Sequence, residues 1–290
     1  MSRSLFATVA LTALTLAACR SDERPESGDS AAAEPASAAG PNVVTVRAKE
    51  YAFDAPSEIP AGLTTFRFVN DGPGYHHMQL VRLDSGRTYE ELQTALKRPG
   101  PPPRWMVPVG GPNAPDPKSE ANATQELSPG NYAIFCFVDL PEKVPHFMKG
   151  MSRPLTVTPR TGATPAALPS APKADVVVRL VDYNFELSTP LTAGQHTFEV
   201  RTDAQQPHEI ELIRLAPGKT GKDLLDWFGK MEGPPPGQGL GGVAGVVAGM
   251  PVYFTADLTP GEYLLICFIS DAKDGKPHFA HGMMKTVRVS

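Results

Sequence analysis

The chain has 290 residues, 41% of them hydrophobic, which is material for two domains of ordinary size. A formal net charge of −4 leaves no basic footprint and argues against a nucleic-acid partner. Three cysteines, Cys19, Cys136 and Cys267, are too few for a disulfide framework.

Arg3 is followed by an apolar run from Leu5 to Ala18, too short to span a bilayer and shaped like a signal peptide over 1–18. It ends Leu16-Ala17-Ala18-Cys19, which resembles the lipobox of bacterial lipoproteins. That resemblance implies cleavage before Cys19 and acylation of it; a soluble periplasmic protein cut nearby is the alternative. Arg20, rather than an aspartate, follows, so the enteric sorting rule points to the outer membrane. The expectation is a periplasmic protein whose only membrane contact is the Cys19 lipid. Residues 19–41 are rich in Ala, Ser, Glu, Asp, Pro and Gly, without aromatic residues or periodicity after Cys19, and read as a disordered tether. Its r.m.s. reach is about 25 Å.

Beyond the tether the chain is written twice. Val44 to Phe53 answers Val177 to Phe185, and Pro60-Ala61-Gly62 answers Thr192-Ala193-Gly194. The repeats occupy 42–158 and 174–290, with a Pro/Ala/Thr-rich linker at 159–173. Each has apolar residues alternating with period two between Gly/Pro turns, the pattern of an antiparallel sandwich. Each also has a short helical insert, announced by Thr88 with Glu91 and by Thr220 with Asp223, a capping Thr with an acid three later. The fold class is all-β: two tandem β-sandwich domains, each with a helical insert.

The recurring residues that carry chemistry come in the same order in both copies. His76 opens one alternating strand and His208 its counterpart. Gly130 to Cys136 and Gly261 to Cys267 are apolar strands that each end in a lone cysteine. After a polar loop come Pro145-His146 and Met151, then Pro277-His278 and Met283, with the same His-to-Met spacing. Thiolate, two imidazoles and a thioether are the ligand types of a blue-copper site. Period two puts Tyr132, Ile134 and Cys136 on one strand face, and Tyr263, Leu265 and Cys267 on another, so each cysteine continues an inward face. A lone Cys or Met of this kind is ordinarily a core residue. The repetition of the whole set, and two unpaired thiols in an oxidising compartment, favour ligation. A Cys136–Cys267 disulfide would require equivalent buried positions of two domains to meet.

These motifs resemble the cupredoxin family over both repeats; Pro277-His278-Phe-Ala-His-Gly282-Met283 is most similar to the type 1 centre of copper nitrite reductases. The resemblance implies one type 1-like copper per repeat. His76, Cys136, His146 and Met151 would bind the first, and His208, Cys267, His278 and Met283 the second. Two features depart from the pattern. The Cys-to-His loops hold nine and ten residues, longer than in those relatives. His77 and Glu209 stand where many cupredoxins have an asparagine that steadies the cysteine loop.

The implied function is electron transfer with a redox partner protein in the periplasm. A cupredoxin-like scaffold or copper-handling module without redox cycling is the alternative. An enzyme is not expected: the chain has seven histidines and no His-x-His, so the extra copper clusters of nitrite reductases and laccases cannot be built. His77, His196 and His281 do not recur between the copies and read as solvated. Trp105 and Trp227 read as packing residues. Gly237-Gln-Gly239-Leu-Gly241-Gly242 has the letters of a dinucleotide loop in the wrong context, and Gly237 to Met250 reads as a flexible, mildly apolar loop.

Overall fold

The computed structural model describes residues 40–98, 100–160 and 169–290. The expected signal peptide, Cys19 and nearly all of the tether lie outside the described residues, as does most of the linker. No helix among the described residues is long and apolar enough to cross a membrane.

The alternating runs become strands. In the first repeat these are β1 (Asn42–Lys49), β2 (Ala52–Asp54), β3 (Glu58–Pro60), β4 (Gly62–Asn70) and β5 (Gln79–Leu83), then β6 (Met106–Pro108), β7 (Glu120–Leu127), β8 (Gly130–Phe135) and β9 (Ser152–Thr158). The second repeat has β10 (Val176–Val181), β11 (Asn184–Leu187), β12 (Gly194–Thr202) and β13 (His208–Leu215), then β14 (Gly237–Val246), β15 (Val252–Leu258), β16 (Gly261–Ile266) and β17 (Met284–Val289). The helical inserts are α1 (Tyr89–Leu96) and α2 (Gly221–Lys230). Both start at the expected caps. The Thr88 hydroxyl accepts from Glu91 N while the Glu91 carboxylate accepts from Thr88 N, and Thr220 with Asp223 repeats the arrangement.

Each repeat is a sandwich. In the first, sheet β3-β9-β8-β5-β6 faces β7-β4-β1-β2; in the second, β14-β13-β16-β17 faces β11-β10-β12-β15. Pairing is antiparallel except for β1 with β4, β10 with β12 and β3 with β9, which run parallel. Between the sheets lie two cores, one holding Phe66, Phe68, Ile134, Cys136 and Met151, the other Phe198, Phe254, Leu265, Cys267 and Met283. Full burial of each phenylalanine stabilises by roughly 1.5–3 kcal/mol. The opposite faces of β8 and β16 are covered too, by smaller clusters under the inserts that contain Leu92 and Leu224. Both cysteines thus end strands held from two sides.

The repeats share a sheet. β15 pairs with β7 at Tyr253 and Thr124, so eight strands run continuously through both halves. Asn122 extends the seam: its side chain donates to Thr255 O at 3.0 Å and accepts from Thr255 N at 2.9 Å, in the manner of a backbone amide. The stretch expected to be a flexible loop, Gly237 to Met250, is instead largely the strand β14. It bridges to the first repeat at Val109, Pro112 and Pro115. Its glycines are there because backbones come close. A Cβ on Gly242, where φ is +143°, would lie 2.1 Å from Ile210 O, and one on Gly241 would lie 2.5 Å from Ala121 Cβ. Composition alone reads such a run as a loop; close approach, to β13 at Gly242 and to the first repeat at Gly241, demands the same residues.

Candidate metal centres

In the first repeat, β8 delivers Cys136 at its C-terminal end, and the loop after it closes in a single 3-10 turn, His146–Lys149. Backbone bonds lock this corner. Cys136 N donates to Met151 O at 3.2 Å, Met151 N to His146 O at 3.0 Å, and Phe147 N to Cys136 O at 2.9 Å. The second repeat makes the same three bonds at 3.2, 3.0 and 3.0 Å, from Cys267 N to Met283 O, Met283 N to His278 O and Phe279 N to Cys267 O. His76 comes from the turn before β5 and His208 from the start of β13. The His76 ring lies against Gly72, where a Cβ would come within 2.8 Å of Nε2.

These elements bring together His76, Cys136 and His146, and separately His208, Cys267 and His278, each set with its donor atoms within 4.8 Å of one another. His76 Nδ1 faces His146 Nδ1 at 3.1 Å, and His208 Nδ1 faces His278 Nδ1 at 3.0 Å. Cys136 Sγ lies 3.6 Å from His146 Nδ1, and Cys267 Sγ 3.3 Å from His278 Nδ1. Met151 and Met283 are fully buried in the same cores as their cysteines. The eight side chains are at most 2% exposed, so water is kept from both clusters.

Hydrogen bonds assign the tautomers. His146 Nε2 donates to Leu140 O at 3.0 Å and His208 Nε2 to Asp182 Oδ1 at 3.1 Å, which leaves the Nδ1 of each as a bare lone pair facing the other ring, and that of His146 facing the sulfur too. Burial pushes the His76 and His278 imidazoles down to about 4, with each ring's partner histidine adding to it, and lowers His146 and His208 as well. Burial pushes the Cys136 thiol up to about 12 and raises Cys267 too, where Glu209 adds to the effect. Neutral rings crowded on a buried thiol satisfy few of one another's polar atoms. His76 Nε2 and His278 Nε2 have no hydrogen-bond partner. This donor set, two imidazole nitrogens and one sulfur with an anchored outer N–H, fits a transition metal that accepts nitrogen and thiolate ligands.

His77, expected to be solvated, is buried, and so is Glu209. Both receive the backbone amide that follows the cysteine of their repeat. Phe137 N, next after Cys136, donates to His77 Nε2 at 2.9 Å, and Phe268 N, next after Cys267, donates to Glu209 Oε1 at 2.8 Å. His196 and His281 stand apart from both clusters, bonded to Thr192 O and Asp274. Trp227 packs on Tyr75 of the other repeat.

Other residues that shape the clusters were not singled out from the sequence. Asp182 precedes Tyr183 as Glu50 precedes Tyr51, so an acid recurring before an aligned tyrosine was an available signal. Leu140 acts through its carbonyl, which no side-chain pattern reveals. Tyr51 and Tyr183 stand edge-on to His146 and His278, at 5.1 and 5.6 Å between ring centres.

No protein-family model matches this sequence, and no curated protein is significantly similar to it. Among solved structures, dithionite-reduced auracyanin from the photosynthetic bacterium Roseiflexus castenholzii matches 42% of this chain and 100% of its own, at 20% identity and a TM-score of 0.30. A multicopper oxidase matches 86% of this chain and 88% of its own, at 12% identity and a TM-score of 0.25. A copper-containing nitrite reductase from Thermus scotoductus matches 86% and 61%, at 10% identity and a TM-score of 0.23. The sheets described above are those of two β-sandwiches, the all-β class the sequence led us to expect. One expectation is overturned. The chain was expected not to be an enzyme, yet multicopper oxidases and a nitrite reductase, which are enzymes, stand among the similar structures. Counting histidines addressed only additional copper clusters, and that is too narrow a ground for excluding catalysis.

Proposed function

We propose that this chain is an exported copper protein that takes up and passes on single electrons, with a type 1-like centre in each repeat. His76, Cys136, His146 and Met151 hold the first copper, and His208, Cys267, His278 and Met283 the second. The observation that carries this reading is the convergence, twice in one chain, of two imidazole Nδ1 atoms on one buried cysteine. Copper bound by thiolate, imidazoles and thioether supplies a one-electron step with little reorganisation. The chain's part is to present bare nitrogens, hold them from behind through Leu140 O and Asp182, and exclude water. An electron carrier and an oxidase-like protein would use such centres alike.

Leu16-Ala17-Ala18-Cys19 supports anchoring by a lipid on Cys19, at the periplasmic face of the outer membrane, with residues 19–41 as tether and 42–158 and 174–290 as the two copper-holding repeats. The electron partner is then another periplasmic protein. Cys19→Ser is expected to abolish membrane fractionation; a substituted protein that still pellets with membranes overturns the anchor. The copper reading is tested by visible and EPR spectra after Cu(II) is added. An intense thiolate-to-copper absorption should appear, vanish on reduction and return on oxidation. A colourless protein that binds Cu(I) without cycling would instead be a copper-handling module.

A further inference from the structure

The two clusters are joined by a buried chain of hydrogen bonds that crosses from one repeat to the other. Since His77 Nε2 accepts from Phe137 N, its ring proton sits on Nδ1, which donates to Asn113 Oδ1 at 3.3 Å. Asn113 Nδ2 donates to Glu209 Oε2 at 3.4 Å, and the other oxygen of Glu209 accepts from Phe268 N. His77, Asn113 and Glu209 are 7%, 4% and 5% exposed, so no solvent competes for these bonds. The ends of the chain are the residues that follow Cys136 and Cys267. Its two intermediate groups, His77 and Glu209, are the covalent neighbours of His76 and His208.

Asn113 is the one member that belongs to neither cysteine corner, and an amide is what the position requires. The His77 side offers a donor and the Glu209 side an acceptor. A carboxylate there would set oxygen against oxygen, and an alkyl group would leave both arms unpaired in the interior. Asn113 is itself fixed. Its Oδ1 also accepts from Ala114 N at 3.0 Å, its Nδ2 also reaches Ile210 O at 3.3 Å, and its backbone N donates to Gly242 O at 3.2 Å.

We propose that Asn113 is a positioning residue shared by both centres, setting the two cysteine loops through one hydrogen-bonded chain so that a change at one centre is felt at the other. The coupling rests on the reading that both centres hold copper; the shared positioning does not. The first test therefore uses the metal-free full chain and reads amide hydrogen exchange at Phe137 and Phe268. Asn113→Ala should speed exchange at both by about tenfold, the loss expected when a buried hydrogen bond loses its support. Asn113→Asp keeps the acceptor for His77 and loses the donor to Glu209, so it should speed Phe268 alone. Unchanged exchange at either amide in Asn113→Ala overturns the shared role. Should Asn113→Ala fail to fold, Asn113→Asp decides, because equal acceleration at both amides would mean general loosening.

The second test loads the chain with Cu(II). Cys136→Ser should shift the absorption maximum of the second centre when Asn113 is present and leave it unmoved in the Asn113→Asp background. A second-centre spectrum indifferent to Cys136→Ser in the native background overturns the coupling. A native chain that takes up no Cu(II) overturns the copper reading instead, and the exchange measurement still judges Asn113.

Discussion

The two centres have the same frame and different surroundings. Backbone bonds around cysteine, histidine and methionine agree to about 0.1 Å between the repeats. Behind that frame the outer contacts have been exchanged. In the first centre the loop histidine, His146, is anchored, and by a neutral carbonyl. In the second the strand histidine, His208, is anchored, and by the carboxylate of Asp182. A further acid, the buried Asp271, lies 3.8 Å from His278 Nε2, held well below the usual carboxylate range by bonds from Tyr183 and Gln206. In the first centre, Tyr51 bonds Glu142 and Lys149 instead, and Glu142 is held down to about 2 by Lys149 and Tyr51. The rims differ as well. Val144 and Met148 are exposed beside His146, where the second repeat has Lys276 and Ala280. The side chains that could hold a metal are therefore fixed by the frame, while the groups behind them have diverged.

The sharpest way to break the comparison is to remove one thiolate. Cys136→Ser and Cys267→Ser should each abolish one centre's colour and about one copper per chain while the other keeps its copper, with at most a shifted absorption, since each ligand set comes from a single repeat. If either substitution empties both centres, the copper is shared across the seam. A metal content that neither substitution changes would make both cysteines core residues. The close pairing of β14 with β13 inside the second repeat is the next target. Gly242→Ala places a Cβ against Ile210 O at a positive φ, and should cost about 3 kcal/mol in urea unfolding. A midpoint that barely moves would mean the two backbones are not in close contact there.

Much of this frame was legible in the residues. Periodicity placed Cys136 and Cys267 on inward faces, and the capping threonines marked both inserts, because those features follow from local chemistry. The seam was not legible. The glycines between Gly237 and Gly245 mask a strand that pairs with β13 and bridges to the first repeat. His77 was misread for a related reason. It does not recur in the second repeat as a histidine, yet Glu209, at the equivalent position, binds the same target, the amide after the cysteine, with different chemistry.

Two smaller effects sharpen the comparison further. Asp182→Ala should weaken copper at the second centre about tenfold and spare the first, read by competition with a chelator. The low end of the usual range is expected because Asp182 is 53% exposed. An equal loss at both centres would show that the anchors are not private. Thr88→Ala and Thr220→Ala should each cost about 1 kcal/mol of stability, since both inserts begin with the same capping box. Markedly unequal losses in thermal unfolding would show that the inserts, unlike the frame, have diverged in what they support.

The shared eight-stranded sheet also bears on solubility. The outermost strands, β2 and β11, are only three and four residues long and offer few free backbone groups to a neighbouring molecule. The longer strands β7 and β15, eight and seven residues, are turned toward each other and stitched by Asn122. Duplication thus set these two long edges against each other, where Tyr253 pairs with Thr124 and Asn122 with Thr255. Severed from its twin, either half would expose one of them, and self-association through that edge is the hazard that keeping both halves in one chain avoids.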